Sequence, residues 1–231
     1  MSELSRVDLQ KKRAAEHAVS LIETNMKVGL GTGSTARFAV AALGQRIRDE
    51  GLKIKAVPTS EATKQQAIEE GITVVSFDQV ERLDLCFDGA DEVDPQLNLT
   101  KGGGGALLRE KVVAFSSSRF VCVVDEAKCV PALHAFPVPL EVVPFAVKVV
   151  EREVRALGGE PTLRVRDGQP FVTDNGLLIL DCRFPPIKEP ALLAKAFASI
   201  PGIAEHGLFV DIVHDLVVGT DDGVQVTTRR G

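Results

Sequence analysis

Short apolar runs alternate with amphipathic segments through the first 125 residues, and this alternation limits the possible fold more than any other feature. The apolar runs predict strands at residues 28–30, 52–57, 72–77, 83–87 and 120–124. The segments between them predict helices, the first capped by Ser5 and the others at residues 36–48, 61–70 and 106–115. Strands and helices in this order predict a doubly wound, mostly parallel α/β sheet.

The order of elements changes near residue 130, where four prolines cluster within fourteen residues, at positions 131, 137, 139 and 144. Beyond this point the pattern predicts strands at residues 138–143, 162–165, 177–181 and 203–209, and helices at residues 146–157 and 191–199. The order β-α-β-β-α-β is that of a smaller, ferredoxin-like α+β unit of about 75 residues. The tail predicts a hairpin around Asp222-Gly223, and its pattern does not decide which domain it joins.

The composition gives no sign of a nucleic-acid or membrane partner. Apolar residues make up 45% of the chain and charged residues 26%, and the net charge of −5 gives no attraction for nucleic acid or an anionic membrane. No apolar run approaches the roughly 18 residues of a membrane span, and the polar start SELSRVDLQKKR is unlike a signal peptide. We therefore expect a cytoplasmic protein.

The four cysteines and four histidines are scattered without the spacing of a metal site. Cys86 and Cys122 lie in apolar runs, which favours core packing over reactivity. The sequence thus predicts neither a metal site nor thiol catalysis.

Residues suited to catalysis concentrate in residues 87–111, FDGADEVDPQLNLTKGGGGALLREK. Asp88 and Asp91 follow a predicted buried strand, and ligands of open α/β sheets bind at the carboxyl ends of strands. Aspartate beside glycine is also ordinary turn chemistry. Near Lys101, however, the two carboxylates form a charge cluster typical of active sites.

Four consecutive glycines, residues 102–105, separate Lys101 from a predicted helix. A glycine loop that leads into a helix N-terminus presents backbone N–H groups to an anion. The segment therefore predicts chemistry on a small charged substrate.

Glu110 lies on an otherwise apolar face of that predicted helix, together with Ala106, Val113 and Ala114. A carboxylate on such a face is costly to bury unless it has a partner or a task. Burial raises the pKa of a carboxyl group, which suits a general base acting near neutral pH. The alternative is an exposed glutamate paired with a basic neighbour.

A second glycine loop, residues 29–35 (GLGTGST), joins a predicted strand to a helix. It lacks the lysine of a phosphate-binding P-loop, and no acidic residue follows the second strand to bind a ribose. Three hydroxyls remain at the helix start, on Thr32, Ser34 and Thr35, and they suit a phosphate group or sugar hydroxyls. The alternative is a simple strand-to-helix turn.

Three motifs together closely resemble ribose-5-phosphate isomerase of the A type: GTGSTA at residues 31–36, DGADE at residues 88–92 and KGGGGALLREK at residues 101–111. The last two stand in that family's order and spacing. VTDNG at residues 172–176 and the terminal hairpin with Gly219-Thr220 also look like the family, so the resemblance covers essentially the whole chain.

The resemblance implies an enzyme that interconverts ribose 5-phosphate and ribulose 5-phosphate through an enediolate, without a metal or organic cofactor. Glu110 matches the general base that moves a proton between C2 and C1. Asp88, Asp91 and Lys101 match catalytic residues credited with ring opening and with handling charge on the sugar oxygens. The substrate-binding residues implied by the same match are Thr32, Gly33, Ser34, Thr35, Asp88, Gly89, Ala90, Asp91, Lys101, Gly102, Gly103, Gly104, Lys128 and Lys11.

The resemblance also implies a catalytic α/β domain at residues 1–131 plus 207–231, with an α+β domain inserted at residues 132–206. The implied partner is a small phosphorylated sugar, with no nucleic acid and no membrane. The implied assembly is a homodimer, with a homotetramer as the alternative.

Two functions from other classes stay open on the residues alone. One is a sugar-phosphate-binding regulatory module, although neither a helix-turn-helix nor a basic patch is visible. The other is a deaminase or CoA transferase on a similar scaffold. Ketose formation from ribose 5-phosphate separates an isomerase from both.

Overall fold

The structure, a computed structural model, describes residues 4–229. Its helices are α1 (Arg6–Ser20), α2 (Ser34–Glu50), α3 (Glu61–Glu69), α4 (Leu107–Phe115), α5 (Val147–Ala156) and α6 (Pro190–Ala198), with 3₁₀ helices at Glu126–Lys128 and Pro144–Ala146. Its strands are β1 (Lys27–Leu30), β2 (Lys55–Pro58), β3 (Leu85–Asp88), β4 (Glu92–Val93), β5 (Leu99–Thr100), β6 (Phe120–Asp125), β7 (Val138–Val142), β8 (Glu160–Leu163), β9 (Val165–Arg166), β10 (Gln169–Pro170), β11 (Leu178–Arg183), β12 (Ile203–His206), β13 (Leu208–Phe209), β14 (Asp215–Gly219) and β15 (Val224–Thr228).

These elements form two compact units. The first comprises the described residues of Met1–Ala90, Arg109–Lys128 and Ile212–Gly231, and the second comprises Asp91–Leu108 and Cys129–Asp211. The predicted insert, residues 132–206, lies within the second unit, which also contains residues 91–108. The domain boundaries themselves stay a prediction.

A six-stranded sheet in the order β15-β14-β6-β3-β1-β2 forms the centre of the first unit. Neighbouring strands are parallel except β15, which is antiparallel to β14. Ala14 and Ala18 of α1 and Leu43 of α2 pack with Leu30 and Phe87 of the sheet in one apolar core. The predicted doubly wound, mostly parallel α/β sheet is confirmed.

The first helix begins where its cap predicts. The hydroxyl oxygen of Ser5 accepts a hydrogen bond from the N–H of Asp8 at 3.1 Å and donates to the carboxylate of Asp8 at 2.7 Å. An acidic residue in the first turn also favours the positive end of the helix dipole. Local sequence chemistry is thus enough to place the start of α1.

The predicted strand at residues 72–77 is wrong. Val74 makes one isolated bridge with Ala56 of β2, and a turn follows in which Gln79 N–H donates to the carbonyl of Ser76 at 3.0 Å. Ile72 is buried in the core of the unit. The apolar run therefore reflects core packing rather than strand pairing.

The predicted strand at residues 203–209 is divided into β12 and β13. Gly207 between them donates its N–H to the carbonyl of Pro139, and its own carbonyl accepts the N–H of Lys101. The chain passes at this glycine from the sheet that contains β7 to the one that contains β5.

The second unit contains a four-stranded antiparallel sheet in the order β12-β7-β11-β8. Numbered along the chain within this sheet, the strand order is 4-1-3-2. Val150 and Val154 of α5 and Phe197 of α6 pack against Leu140 and Leu180 of the sheet. The predicted ferredoxin-like α+β arrangement is confirmed. A three-stranded sheet, β13-β5-β4, and the short β9-β10 pair complete this unit.

The tail forms the predicted hairpin, in which Thr220 N–H donates to the carbonyl of Gly223 at 2.8 Å. Strand β14 pairs in parallel with β6, so the hairpin extends the sheet of the first unit. Cys86 and Cys122 are fully buried in that unit, as predicted. Within residues 4–229, no helix has the length and apolarity to cross a membrane.

Candidate active site

The first glycine loop lies against the carboxyl end of β3. Gly31 donates its N–H to the carbonyl of Phe87 at 2.9 Å, and Thr32 donates its N–H to Oδ1 of Asp88 at 3.0 Å. A Cβ atom added to Gly31 would lie 2.3 Å from that Oδ1 and 2.6 Å from the Asp88 Cα. Because β1 and β3 are parallel neighbours, the loop after one strand and the acid at the end of the other meet at one edge of the sheet.

A cluster of hydroxyl groups holds Thr32. Its Oγ1 lies 2.6 Å from Oγ1 of Thr59, 2.9 Å from Oγ of Ser60 and 3.2 Å from Oγ1 of Thr63. Thr63 in turn donates to the carbonyl of Gly31 at 3.0 Å. The sequence did not predict these partners, although two consecutive hydroxyl residues, Thr59 and Ser60, directly follow β2.

The start of α2 remains open beside this cluster. Gly33 occupies the N-cap position with φ 110°, and no side chain caps the helix there. Gly33 and Ser34 are exposed, whereas Thr35 is buried. A helix N-terminus with exposed N–H groups is an anion site, which agrees with the predicted phosphate-binding or sugar-binding loop.

Asp88 is a buried carboxylate, with 1% of its surface exposed. Besides Thr32, the N–H of Gly89 donates to its Oδ1 at 2.7 Å. Both are backbone donors, so the position of this oxygen is fixed by the main chain at the end of β3. Such a fixed acid is suited to proton transfer at one defined point.

Glu110 is also buried, with 4% exposure, in the first half of α4. Val113 on the same helix packs closely against Gly29 of β1. Its neighbour Arg109 donates to Glu61 at 2.9 Å, and that hydrogen bond is the main reason why the pKa of Glu61 is lowered. The alternative of an exposed, surface glutamate is therefore wrong for Glu110.

In the second unit, the other glycine loop is bound to Asp91. Gly103 donates its N–H to Oδ2 of Asp91 at 2.8 Å, and Asp91 donates its N–H to the carbonyl of Thr100. Lys101 has 3% exposure, and its Nζ lies 5.5 Å from the centre of the Phe209 ring. The glycine loop is thus bound by Asp91, and the second predicted charged residue, Lys101, is buried beside Phe209.

The remaining acids of the stretch have structural contacts. Glu92 is buried and accepts hydrogen bonds from the N–H groups of His134 and Ala135 at 3.1 and 2.9 Å. Asp94 accepts from the N–H groups of Gln96 and Asn98 in a turn, as its place before proline suggests. Glu92, the last residue of the DGADE motif, therefore holds the loop that contains His134 and Ala135.

The two remaining predicted lysines lie on elements of the first unit that are bonded to each other. Lys128 ends the 3₁₀ helix after β6, and Lys11 lies in α1; both are partly buried. Gln10, the residue before Lys11, donates to Glu126 of the 3₁₀ helix at 2.7 Å. Arg6 also pairs with Glu126, at 3.0 Å. In residues 4–229 no group of three or more His, Cys, Asp or Glu side chains is arranged to hold a metal ion.

Comparison with known proteins identifies the family of this chain. The family model of ribose 5-phosphate isomerase A (phosphoriboisomerase A) matches residues 55–223. The ribose-5-phosphate isomerase A of Bradyrhizobium diazoefficiens is 43% identical over 235 residues, which cover 97% of each chain. The solved structure of ribose 5-phosphate isomerase A from Methanocaldococcus jannaschii has a TM-score of 0.91 at 41% identity, and the match covers 95% of this chain and 98% of that one.

A D-ribose-5-phosphate isomerase solved in complex with phospho-erythronic acid has a TM-score of 0.94 at 41% identity. That match covers 97% of this chain and all of the other. On sequence and structure alike, the chain belongs to the ribose 5-phosphate isomerase A family.

Proposed function

We propose that this protein is an aldose–ketose isomerase that interconverts D-ribose 5-phosphate and D-ribulose 5-phosphate, a reaction in the non-oxidative branch of the pentose phosphate pathway. Membership of the family supports the reaction. The observation that carries the mechanism is the burial of Glu110 in α4, with 4% exposure. A carboxylate buried on the helix that follows a glycine loop is a candidate general base.

In the proposed mechanism, Glu110 removes the proton from C2 of the open-chain aldose and delivers it to C1. The electron pair left at C2 forms the enediolate, and a second proton moves from O2 to O1, so that the ketose has the same atoms as the aldose. Charge that develops on the sugar oxygens needs a fixed cationic or N–H partner. We assign that role to Lys101 and the glycines after it.

Asp88 and Asp91 are assigned to opening of the sugar ring, which requires a proton to leave O1 and another to reach the ring oxygen. The burial of Asp88 and its two backbone donors support this assignment. The open N-terminus of α2, with Gly33 and Ser34 exposed, supports binding of the phosphate or the sugar hydroxyls there. Lys11 and Lys128 are assigned to substrate binding from the family match.

The decisive experiment compares Glu110→Gln with Glu16→Gln, which makes the same chemical change at an exposed position of α1. Ketose formation from ribose 5-phosphate is measured in both. Loss of a general base lowers kcat by about 10²–10⁴-fold, so Glu110→Gln is expected to lose kcat by that factor with little change in KM. Glu16→Gln is expected to behave as the wild type.

Turnover like that of the wild type in Glu110→Gln would refute the base assignment. A wild-type protein that binds ribose 5-phosphate without forming ketose would favour a regulatory module instead. We further propose a cytoplasmic homodimer, with light scattering of the purified protein as the measurement of its assembly.

A further inference from the structure

Arg164, between β8 and β9, makes contacts that the proposed mechanism does not use. Its Nη1 donates to the carbonyl oxygens of Gly102 at 2.9 Å and Gly103 at 3.2 Å. Its Nε donates to Oδ2 of Asp181 at 2.9 Å, and its Nη2 donates to the other carboxylate oxygen. The side chain of Arg164 is 13% exposed and that of Asp181 is 23% exposed. One guanidinium thus connects an acid of β11 to two consecutive carbonyls of the glycine loop.

These bonds fix the orientation of two peptide groups. In the peptide between Gly102 and Gly103, the carbonyl is bound by Arg164 and the N–H is bound by Asp91. In the next peptide, the carbonyl of Gly103 is bound by Arg164. The C=O and N–H of a trans peptide point in opposite directions. The N–H of Gly104 is therefore directed away from Arg164.

Gly103 and Gly104 are exposed, and within residues 4–229 the N–H of Gly104 donates to no other group. Without side chains, nothing but hydrogen bonds from neighbours limits the rotation of these peptides. A single rotation of the peptide between Gly103 and Gly104 would turn this donor toward Arg164. The guanidinium of Arg164 opposes that rotation, because it has only donor groups and bonds to the carbonyl oxygen of Gly103.

The ring of Phe171 packs against both Arg164 and the glycine loop. Phe171 donates its N–H to the carbonyl of Arg164 at 2.9 Å, and its ring centre lies 5.8 Å from the guanidinium carbon. A Cβ atom added to Gly105 would lie 2.5 Å from that ring. Arg166 stacks on the same ring at 4.3 Å, yet in the described part of the chain it is no donor to the glycine loop.

We propose that Arg164 is a positioning residue of the isomerase, which holds the glycine loop so that the N–H of Gly104 faces an anionic oxygen of the sugar phosphate or its enediolate. This inference rests on the proposed function, since it assumes that Gly102–Gly104 bind substrate. A lysine cannot replace the arginine, because its single ammonium group lacks the planar fork that reaches a carboxylate and two carbonyls together.

The test compares Arg164→Ala and Arg164→Lys with Arg166→Ala, a matched control that removes an arginine from the same aromatic ring. Misplacement of a binding group by about 1 Å can lower a rate about 100-fold. We expect kcat/KM for ribose 5-phosphate to fall about 10- to 100-fold in both Arg164 variants. Activity is measured well below the midpoint of thermal unfolding, because that midpoint is expected to fall when Asp181 loses its partner. Arg166→Ala is expected to stay within about twofold of the wild type. Added methylguanidinium is expected to restore part of the activity of Arg164→Ala and none in Arg164→Lys.

A second readout does not depend on the reaction. Hydrogen exchange at the amide of Gly103, which donates to Asp91, is expected to accelerate in Arg164→Ala and to stay unchanged in Arg166→Ala. Unchanged exchange at the amide of Gly103, or an equal loss of activity in the two alanine variants, would overturn the positioning role. If the wild type forms no ketose while exchange still responds to Arg164, the proposed function is wrong and the positioning of the loop stands.

Discussion

The two glycine loops of this protein are fixed by different chemistry. The loop at Gly31–Ser34 is bound by the hydroxyl groups around Thr32, by the backbone of β3 and by one carboxylate, that of Asp88. The loop at Gly102–Gly105 is held by charged groups, Asp91 on one side and Arg164 on the other.

This difference follows from what lies beside each loop. The first leads directly into α2, whose 17 residues give a strong positive end at the helix N-terminus. The hydroxyl partners fix the side chain of Thr32 and add no further charge beside the carboxylate of Asp88, which accepts the Thr32 N–H. The strands that precede the second loop, β4 and β5, have only two residues each, whereas β3 beside the first loop has four. Charge-assisted hydrogen bonds, which are about twice as strong as neutral ones, supply the rigidity there.

The largest expected difference between the loops comes from adding one methyl group to each. In Gly31→Ala the new Cβ meets the Cα of Asp88 at 2.6 Å, and this backbone cannot move without disturbing β3. In Gly103→Ala the new Cβ meets the carboxylate of Asp91 at 2.7 Å and the ring tip of Phe136 at 2.9 Å, both of which are ends of flexible side chains. We expect Gly31→Ala to lower the free energy of unfolding by about 3 kcal/mol and Gly103→Ala by about 1 kcal/mol or less.

Urea denaturation followed by circular dichroism measures both values, because the chain contains no Trp or Tyr for fluorescence. Neither glycine has a φ in the left-handed region, so the difference in stability measures steric crowding of the new methyl group and not backbone strain. Equal destabilisation in the two variants would show that the first loop is as adaptable as the second.

The sequence predicted where the acids, the glycine loops and the helices after them lie relative to the strands, because each of them follows an apolar run within a few residues. Asp88 ends a buried strand and Glu110 lies on an apolar helix face, and the structure places both in the interior. Local patterns of this kind depend only on the period of the element and on its cap.

The partners that hold the loops were not predicted, because strand pairing brings them together. Thr32 reaches Thr59 because β1 and β2 pair with Leu30 opposite Pro58. Arg164 reaches Asp181 because β8 lies beside β11, with Asp181 opposite Thr162. A sequence pattern states which residues are buried, but the choice of neighbouring strand is a tertiary property. The strand predicted at residues 72–77 is wrong for the same reason: the apolar run shows burial but not whether the segment pairs with a strand.

A smaller effect is expected from a charged support in the second unit. Glu141 is fully buried, and its Oε1 accepts hydrogen bonds from Oγ1 of Thr173 at 2.7 Å and Nδ2 of Asn175 at 2.9 Å. This contact explains the VTDNG motif, which leads directly from Phe171, the residue that packs on Gly105. Removing a donor from a buried carboxylate costs about 1.5–3 kcal/mol, so Thr173→Val is expected to lower the free energy of unfolding by about 2 kcal/mol.

Thr173→Ser is the control, because it keeps the hydroxyl and loses only a methyl group. Its expected cost is below that of Thr173→Val by about 1 kcal/mol or more. If the serine variant were as unstable as the valine variant, packing of the methyl group and not the bond to Glu141 would explain the motif.

The smallest effect is expected from the neutral cluster itself. Thr32→Val removes a hydroxyl that is 2.6 Å from Thr59, and a neutral hydrogen bond contributes about 1 kcal/mol. Thr162→Val, at an exposed position of β8, makes the same change outside the cluster and is expected to stay within about 0.5 kcal/mol of the wild type. A double-mutant cycle with Thr59→Val is expected to give a coupling free energy of about 0.5–1.5 kcal/mol. Coupling near zero would mean that the hydroxyls of Thr32 and Thr59 act independently.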